Sequence, residues 1–181
     1  DPGNARALAR AIPMWTAAAA WTEMTQALEA TAESILALDA RRASALHYAA
    51  GEVYRWRLHA PERAADAFDK AMAADETSAA AVKALAETAS ELRDWTRLAR
   101  ALEREADLGS GSRETAAAAL TKLGALREDL LDDADGAEAA WRAALEKDPA
   151  HRPALAALAR VAERRGDHAL LAELREKELL Q

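Results

Sequence analysis

The sequence resembles itself when it is offset by 73 residues (124 − 51). Six residues of one copy recur at this offset: Gly51, Leu58, Ala64, Ala67, Ala71 and Asp75 match Gly124, Leu131, Ala137, Ala140, Ala144 and Asp148. A second match, at an offset of 74 (95 − 21), relates the stretches that begin at Trp21 and Trp95. A fixed internal period of this kind is typical of proteins built from stacked repeats. The chain is therefore predicted to form a repeat array, in which each unit packs against its neighbours.

The composition indicates that the repeated unit is helical. Ala, Leu, Arg, Glu and Asp dominate the 181 residues, which include only 7 Gly, 5 Pro, 2 Tyr and 1 Phe. Most of the common residues are good helix formers, whereas sheets draw on branched and aromatic side chains. Polar turns divide the chain into ten helical segments in five pairs, so we expect an all-α fold. The predicted units are residues 5–43, 44–78, 79–116, 117–151 and 152–181.

Turn residues predict where several helices start. The second helices of four pairs are expected to start at Pro61, Asp94, Asp135 and Asp167. An aspartate at a helix start accepts hydrogen bonds from free backbone N–H groups, and proline is favoured at the first helical position. Pro13 falls inside the first helical pattern, where a proline costs about 3 kcal/mol. We therefore expect the first helix to break or to start late, near Pro13.

Two of the five units resemble the tetratricopeptide repeat, whose pattern is Gly, Tyr, Ala, Phe, Ala and a closing Pro. The first of these units reads Gly51, Tyr54, Ala64, Phe68 and Ala71, with a corner at Asp75-Glu76. The second reads Gly124, Ala137, Trp141 and Ala144, with a corner at Asp148-Pro149. Both carry one extra residue in the turn between their helices, and Arg127 and Glu76 stand where the family has Tyr and Pro. The chain therefore resembles a degenerate tetratricopeptide array, and its excess of Arg over Lys, with 5 Lys among 24 basic residues, indicates the bacterial type by composition only.

This resemblance implies a right-handed solenoid of stacked antiparallel helix pairs over residues 1–181, in which the first helices line a concave groove. Carried onto this sequence, the groove positions give the candidate partner-binding residues Tyr48, Glu52, Arg55, Trp56, Lys83, Glu87, Thr121, Glu128, Asp129 and Arg160. Their charges are mixed. They lack the cluster of Lys and Arg that clamps a peptide's terminal carboxylate in chaperone-binding members of the family. The resemblance thus implies a groove for a protein or peptide, without a carboxylate clamp.

Among the aromatic residues, Trp56 is the best candidate for a partner contact, and packing on a neighbouring helix is the alternative. Its counterpart at the 73-residue offset is Asp129. A position that takes Trp in one unit and Asp in the other is not expected to lie in the core. Trp141 instead matches Phe68, so we interpret it as packing between helices.

The first residues suggest that the array extends beyond this chain. Asp1-Pro2 matches Asp148-Pro149 at an offset of 147 (148 − 1), so the chain starts at the closing corner of a preceding unit. We therefore expect residues 1–181 to be a segment excised from a longer array.

Several function classes are disfavoured by the sequence. The four histidines do not have metal-ligand spacing, and the sequence has no phosphate-binding glycine loop and no nucleophile elbow. A net charge of −7, spread along the chain, disfavours nucleic acid and anionic membrane surfaces. The apolar windows are too short to span a bilayer. We expect no catalytic residue, metal, cofactor, nucleic-acid partner or membrane insertion.

Two hypotheses about function follow. The first is a non-catalytic scaffold that binds a protein or peptide through its concave face. The alternative is a structural spacer or self-association module of a larger multidomain protein, enzymatic or not, which leaves homo-oligomers open. Loss of binding when Tyr48 and Trp56 are replaced would favour the first, and a dimer that buries the chain's ends would favour the second. The sequence leaves the compartment open, with a slight preference for the cytoplasm.

Overall fold

A computed structural model describes residues 5–109 and 112–179 of the chain. Within these ranges there is no strand, and the ten helices are α1 (Ala5–Ala18), α2 (Trp21–Ile35), α3 (Ala40–Trp56), α4 (Pro61–Ala74), α5 (Ala79–Leu92), α6 (Trp95–Leu108), α7 (Arg113–Leu130), α8 (Ala134–Lys147), α9 (Arg152–Arg165) and α10 (His168–Leu179). None of these described helices has both the length and the apolar character of a membrane span. The predicted all-α fold of about ten helices in five successive pairs is confirmed. The Asp1-Pro2 corner, on which the predicted excision rests, lies outside the described residues.

The chain divides into two compact units, Asp1–Arg97 and Leu98–Gln181. In the first unit α1 packs on α2, α2 on α3, α3 on α4, and α4 on α5. In the second unit α7 packs on α8, α8 on α9, and α9 on α10. Helices that are joined by such short turns and packed together run antiparallel. One continuous solenoid over residues 1–181 stays a prediction.

Three of the four predicted helix starts are confirmed. Pro61 lies in the first turn of α4. The Asp94 carboxylate accepts a hydrogen bond from the Arg97 N–H at 3.0 Å. The Asp167 carboxylate accepts one from the Leu170 N–H, also at 3.0 Å. These bonds satisfy backbone donors that have no partner inside the helix.

The fourth predicted helix start, at Asp135, is wrong. Helix α8 begins at Ala134, because Asp133 is its N-cap and accepts a hydrogen bond from the Gly136 N–H at 2.9 Å. Asp135 lies in the first turn, where a negative charge interacts favourably with the helix dipole. Three aspartates in one turn compete for the cap, and sequence position alone does not decide between them.

Pro13 does not break the first helix, contrary to the prediction. Helix α1 runs without interruption over Ala5–Ala18 and contains the proline. Leu8, Ile12 and Trp15 are half-buried at helical spacing on either side of Pro13. Packing of this stripe thus offsets the hydrogen bond that the proline removes.

Two predicted unit boundaries fall inside helices. Helix α3 begins at Ala40, because the Asp39 carboxylate accepts a hydrogen bond from the Arg42 N–H at 3.0 Å. Helix α7 begins at Arg113, where Ser112 provides the cap. The boundaries predicted at 43/44 and 116/117 therefore lie within the first turns of α3 and α7.

A glycine under an aromatic ring recurs in both units. Gly51 of α3 lies against Phe68 of α4, and a Cβ atom on it would lie 2.6 Å from Phe68 Cδ1. Gly124 of α7 lies against Trp141 of α8, and its Cβ would lie 2.6 Å from Trp141 Cδ1. Phe68 is 0% exposed and Trp141 is 1% exposed. Since only a hydrogen atom leaves room, each glycine allows the second helix to approach the first closely.

His47 is a buried titratable residue of the first unit. It lies on α3, is 3% exposed, and its Nδ1 has no hydrogen-bond partner among the described residues. Burial lowers the pKa of the His47 imidazole, and the positive charge of Lys70 on α4 lowers it further. Glu29 and Glu33 on α2 act in the opposite direction. The imidazole is therefore neutral in the folded protein at neutral pH.

We expect the first unit to lose stability as the pH falls below about 6.5, the ordinary pKa of histidine. The unfolded imidazole takes up a proton there that the folded state resists. The free energy of unfolding therefore falls by up to about 1.4 kcal/mol per pH unit until the lowered folded pKa is reached. Urea unfolding at about pH 7.5 and about pH 5.5 measures this difference.

The variant His47→Leu should show a smaller difference between the two pH values than the wild type. His59→Asn is the matched control, because His59 is an exposed turn histidine with φ of 49°, a conformation that asparagine tolerates. Its loss of stability between the two pH values should exceed that of His47→Leu, because it retains the buried imidazole of His47. If His47→Leu has the same pH dependence as the wild type, burial of this imidazole does not contribute to the pH dependence of the free energy of unfolding.

Candidate functional site

The candidate residues of the first unit surround one pocket. It lies between α3 and α5 and has a volume of about 310 Å³. Its lining consists of Tyr48, Glu52, Arg55, Trp56, Ala80, Lys83, Ala84 and Glu87. All six groove residues that the sequence predicts for this part of the chain are among them. They come together because positions three or four residues apart lie on the same face of a helix.

Trp56 is the most exposed aromatic side chain that lines this pocket. It ends α3 and is 59% exposed. The guanidinium carbon of Arg55 lies 4.9 Å from the centroid of the Trp56 ring, within the range of a cation–π interaction. The indole therefore contacts the Arg55 guanidinium while much of its surface remains in contact with solvent. Tryptophan is enriched among the residues that contribute most to the binding energy of protein interfaces.

Tyr48 is the second aromatic residue that lines the pocket. The centroid of its half-buried ring lies 5.5 Å from that of Phe68. Burial raises the pKa of the Tyr48 phenol, and the negative charges of Glu52 and Glu87 raise it further, whereas Arg55 acts in the opposite direction. Tyr48 therefore keeps its proton at neutral pH and can donate a hydrogen bond.

Arg55 is already engaged within the chain. Its two terminal nitrogens lie 3.1 Å from Glu87 and 2.6 Å from Glu91 of α5, and its side chain is only 10% exposed. Lys83, by contrast, is exposed and makes no ion pair with any residue that the structure describes. The side chains of Trp56 and Lys83 are thus available to contact a partner. Arg55 instead links α3 to α5 through its two ion pairs.

In the second unit the structure brings only some of the candidate residues together. Glu128 of α7 forms ion pairs with both Arg160 and Arg164 of α9, and its side chain is 13% exposed. A pocket of about 300 Å³ here is lined by Glu128, Asp132, Ala134, Val161, Arg164 and Arg165. Thr121 and Asp129 do not line it. The pocket has no aromatic wall, so it differs from the one around Trp56.

A further set of equivalent contacts is missed by the sequence analysis. The Tyr54 hydroxyl donates a hydrogen bond to Glu29 at 2.9 Å in the first unit, and the Arg127 guanidinium donates one to Glu103 in the second. Tyr54 and Arg127 are 73 residues apart (127 − 54), and Glu29 and Glu103 are 74 apart (103 − 29). Arg127, which departs from the family pattern, therefore makes the equivalent contact to the preceding helix. The sequence shows that Glu29 and Glu103 match, but their donors are a tyrosine hydroxyl and an arginine guanidinium, so residue identity does not reveal the equivalence.

A larger concavity of about 520 Å³ lies on another side of the first unit. Its lining is Gln26, Glu29, Tyr54, Arg63, Asp66, Asp69 and Lys70. Several of its charges have partners in the chain, since Asp66 pairs with Arg97, and Lys70 with Glu33. No group of His, Cys, Asp and Glu is arranged to hold a metal ion within residues 5–109 and 112–179.

The comparisons with known proteins concern the fold. A scan against protein-family models finds no match, and a search of the curated proteins finds none either. Among solved structures, a crystal structure of MamA is similar over 87% of this chain and 88% of its own, with a TM-score of 0.51 and 21% identity. A second MamA crystal structure has a TM-score of 0.49 at 18% identity and covers 92% of this chain and 85% of its own. A putative kinesin light chain of Podosopora anserina, with nearly identical TPR-like repeats, has a TM-score of 0.45 at 14% identity and covers 99% of this chain and 95% of its own.

At this level of identity the similarity to the first MamA structure concerns the fold alone. It agrees with the successive helix pairs and with the repeated glycine–aromatic contacts of α3–α4 and α7–α8. The protein has a tetratricopeptide-like helical repeat fold.

Proposed function

We propose that this protein is a non-catalytic scaffold that binds a protein or peptide segment in the pocket between α3 and α5. The observation that carries the proposal is Trp56, which is 59% exposed at the rim of a pocket of about 310 Å³. Repeat proteins commonly bind partners on surfaces that successive units build together. The tetratricopeptide-like fold is consistent with such a role.

The chemistry of the pocket supports recognition of a polypeptide. Trp56 offers an apolar face for one side chain, and the protonated Tyr48 hydroxyl can donate to a backbone carbonyl. Glu52 and Lys83 place one negative and one positive charge beside them. Tryptophan and tyrosine often carry most of the binding energy of an interface, while surrounding charges set orientation. A segment with an apolar anchor and flanking charges of both signs fits this surface.

Replacing the aromatic residues of the pocket is expected to weaken its affinity for such a segment. Peptides are selected on the wild-type protein from a random-sequence display library, and their Kd is measured by calorimetry. The variant Trp56→Ala is expected to weaken binding at least about tenfold, or about 1.4 kcal/mol, because it removes the exposed aromatic anchor. Tyr48→Ala should weaken it in the same direction, since Tyr48 lines the same pocket.

Leu38→Ala is the matched control, because Leu38 is 87% exposed, belongs to the same unit and lies outside the pocket lining. It should bind the peptides as the wild type does. If Trp56→Ala and Tyr48→Ala also retain wild-type affinity, the pocket is not the binding surface. If the wild type instead sediments as a dimer that Trp56→Ala dissociates, the pocket serves self-association, as in the alternative hypothesis.

A further inference from the structure

Two triads of ion-paired residues occupy equivalent positions in the two units and have opposite charges. We name them the Arg55 triad (Arg55, Glu87 and Glu91) and the Glu128 triad (Glu128, Arg160 and Arg164). All three positions correspond at an offset of 73 residues (128 − 55, 160 − 87, 164 − 91). The repeat therefore preserves the geometry of the contact and reverses the sign of every charge in it.

Both triads join one helix pair to the next. The central residue lies on the first helix of its pair, α3 or α7, and the outer two lie one turn apart on the first helix of the following pair, α5 or α9. The central side chains are 10% and 13% exposed, whereas the outer ones are 48–58% exposed. A charge so little exposed is costly without a counter-charge, because water cannot replace the missing partner.

The buried faces of α5 and α9 carry similar apolar residues at equivalent positions. Helix α5 buries Val82, Leu85 and Ala89, and helix α9 buries Leu155, Leu158 and Ala162 at the 73-residue offset (155 − 82). The preceding pairs are just as similar, with Gly51 and Gly124 in equivalent contacts. The buried apolar residues of α5 and α9 therefore provide little discrimination between the two helices, whereas the triads differ in the sign of every charge.

We propose that the charge reversal between the two triads determines which helix pair stacks on α3–α4 and which stacks on α7–α8. Exchanging α5 and α9, within one chain or between two copies, would place Arg55 against Arg160 and Arg164. It would also place Glu128 against Glu87 and Glu91. Each exchange thus surrounds a mostly buried charge with two like charges, which opposes the wrong neighbour by repulsion. Each triad thus selects a helix pair of this same chain as its neighbour, whether that pair belongs to the same copy or to a second copy.

The test reverses one triad without breaking it. The variant Arg55→Glu/Glu87→Arg/Glu91→Arg keeps opposite charges in contact but gives both triads the same polarity. Each central residue then accepts either outer pair. After refolding from urea at high protein concentration, we expect the dimer fraction to rise at least about fivefold over the wild type, as the discrimination between neighbours is lost. Size-exclusion chromatography with light scattering measures the dimer.

The matched control reverses both triads, adding Glu128→Arg/Arg160→Glu/Arg164→Glu to the first three substitutions. It also changes the residue beside Trp56, yet the two triads again differ in sign. We expect it to refold to the wild-type monomer fraction. If the first three-residue variant does not fold, the three-residue reversal of the Glu128 triad alone is measured in its place. A three-residue variant that refolds to monomer as completely as the wild type overturns the proposal. A six-residue variant that dimerises as much as the three-residue variant also overturns it.

Discussion

Replacing Trp141 with alanine is expected to lower the free energy of unfolding of the second unit by about 3–5 kcal/mol, as truncation of a large core side chain commonly does. Trp141 is 1% exposed and packs among the buried residues Ala117, Ala144, Leu155 and Leu158 of three helices. Its removal leaves a cavity among these buried neighbours, which adds to the lost transfer free energy. It also removes the hydrogen bond that the indole N–H donates to a backbone carbonyl of α7 at 3.3 Å. Urea unfolding followed by circular dichroism gives the free energy.

The same chemical change at an exposed site provides the control. Trp56→Ala removes the same side chain from a position that is 59% exposed, so its effect on stability should stay below about 1 kcal/mol. The two variants together separate packing from binding, since Trp56→Ala is expected to affect affinity and Trp141→Ala stability. Equal losses of stability would mean that the assignment of the two tryptophans is wrong.

Replacing Gly51 with alanine is expected to destabilise the first unit by about 1–3 kcal/mol, the usual cost of overpacking a core. Helix propensity alone predicts the opposite sign, because alanine in a helix is favoured over glycine by about 1 kcal/mol. The added methyl group would lie 2.6 Å from Phe68 Cδ1, and Phe68 is fully buried against the rest of α3 and α4. The ring cannot move aside without moving a helix. The free energy of unfolding in urea again measures the effect.

A double-mutant cycle with Phe68→Leu identifies the cause. Leucine at position 68 removes the ring edge that the new methyl group meets, so Gly51→Ala should be better tolerated in that background than in the wild type. A Gly51→Ala variant that is more stable than the wild type would show that helix propensity outweighs the close approach of α3 and α4.

Much of the fold follows from the sequence because equivalent residues meet equivalent neighbours. Gly51 and Gly124 match at the 73-residue offset, and so do the rings of Phe68 and Trp141 that cover them. The mismatch of Trp56 with Asp129 predicted an exposed site, and both residues are exposed. At these positions, similar residues in the two copies lie in the core, and the mismatched pair lies on the surface.

The remaining features depend on which competing local interaction prevails. Asp133 caps α8 in place of Asp135 because its carboxylate reaches the Gly136 N–H, a choice that sequence position does not reveal. Pro13 is tolerated inside α1 because packing offsets its cost. Matching identical residues between the copies does not reveal the two triads, because their equivalent positions, such as Arg55 and Glu128, carry opposite charges. The sequence signal for the triads is the presence of opposite charges at interacting positions within each copy.

The proposal that the pocket around Trp56 binds a polypeptide segment is tested most directly by nuclear magnetic resonance. A display-selected peptide is titrated into the isotope-labelled protein, and the indole N–H resonances of the five tryptophans are followed. We predict that the Trp56 indole and the amides of α3 and α5 beside Tyr48 and Lys83 shift first and most strongly. Shifts confined to other helices, with the Trp56 indole unchanged at saturation, would contradict the proposal.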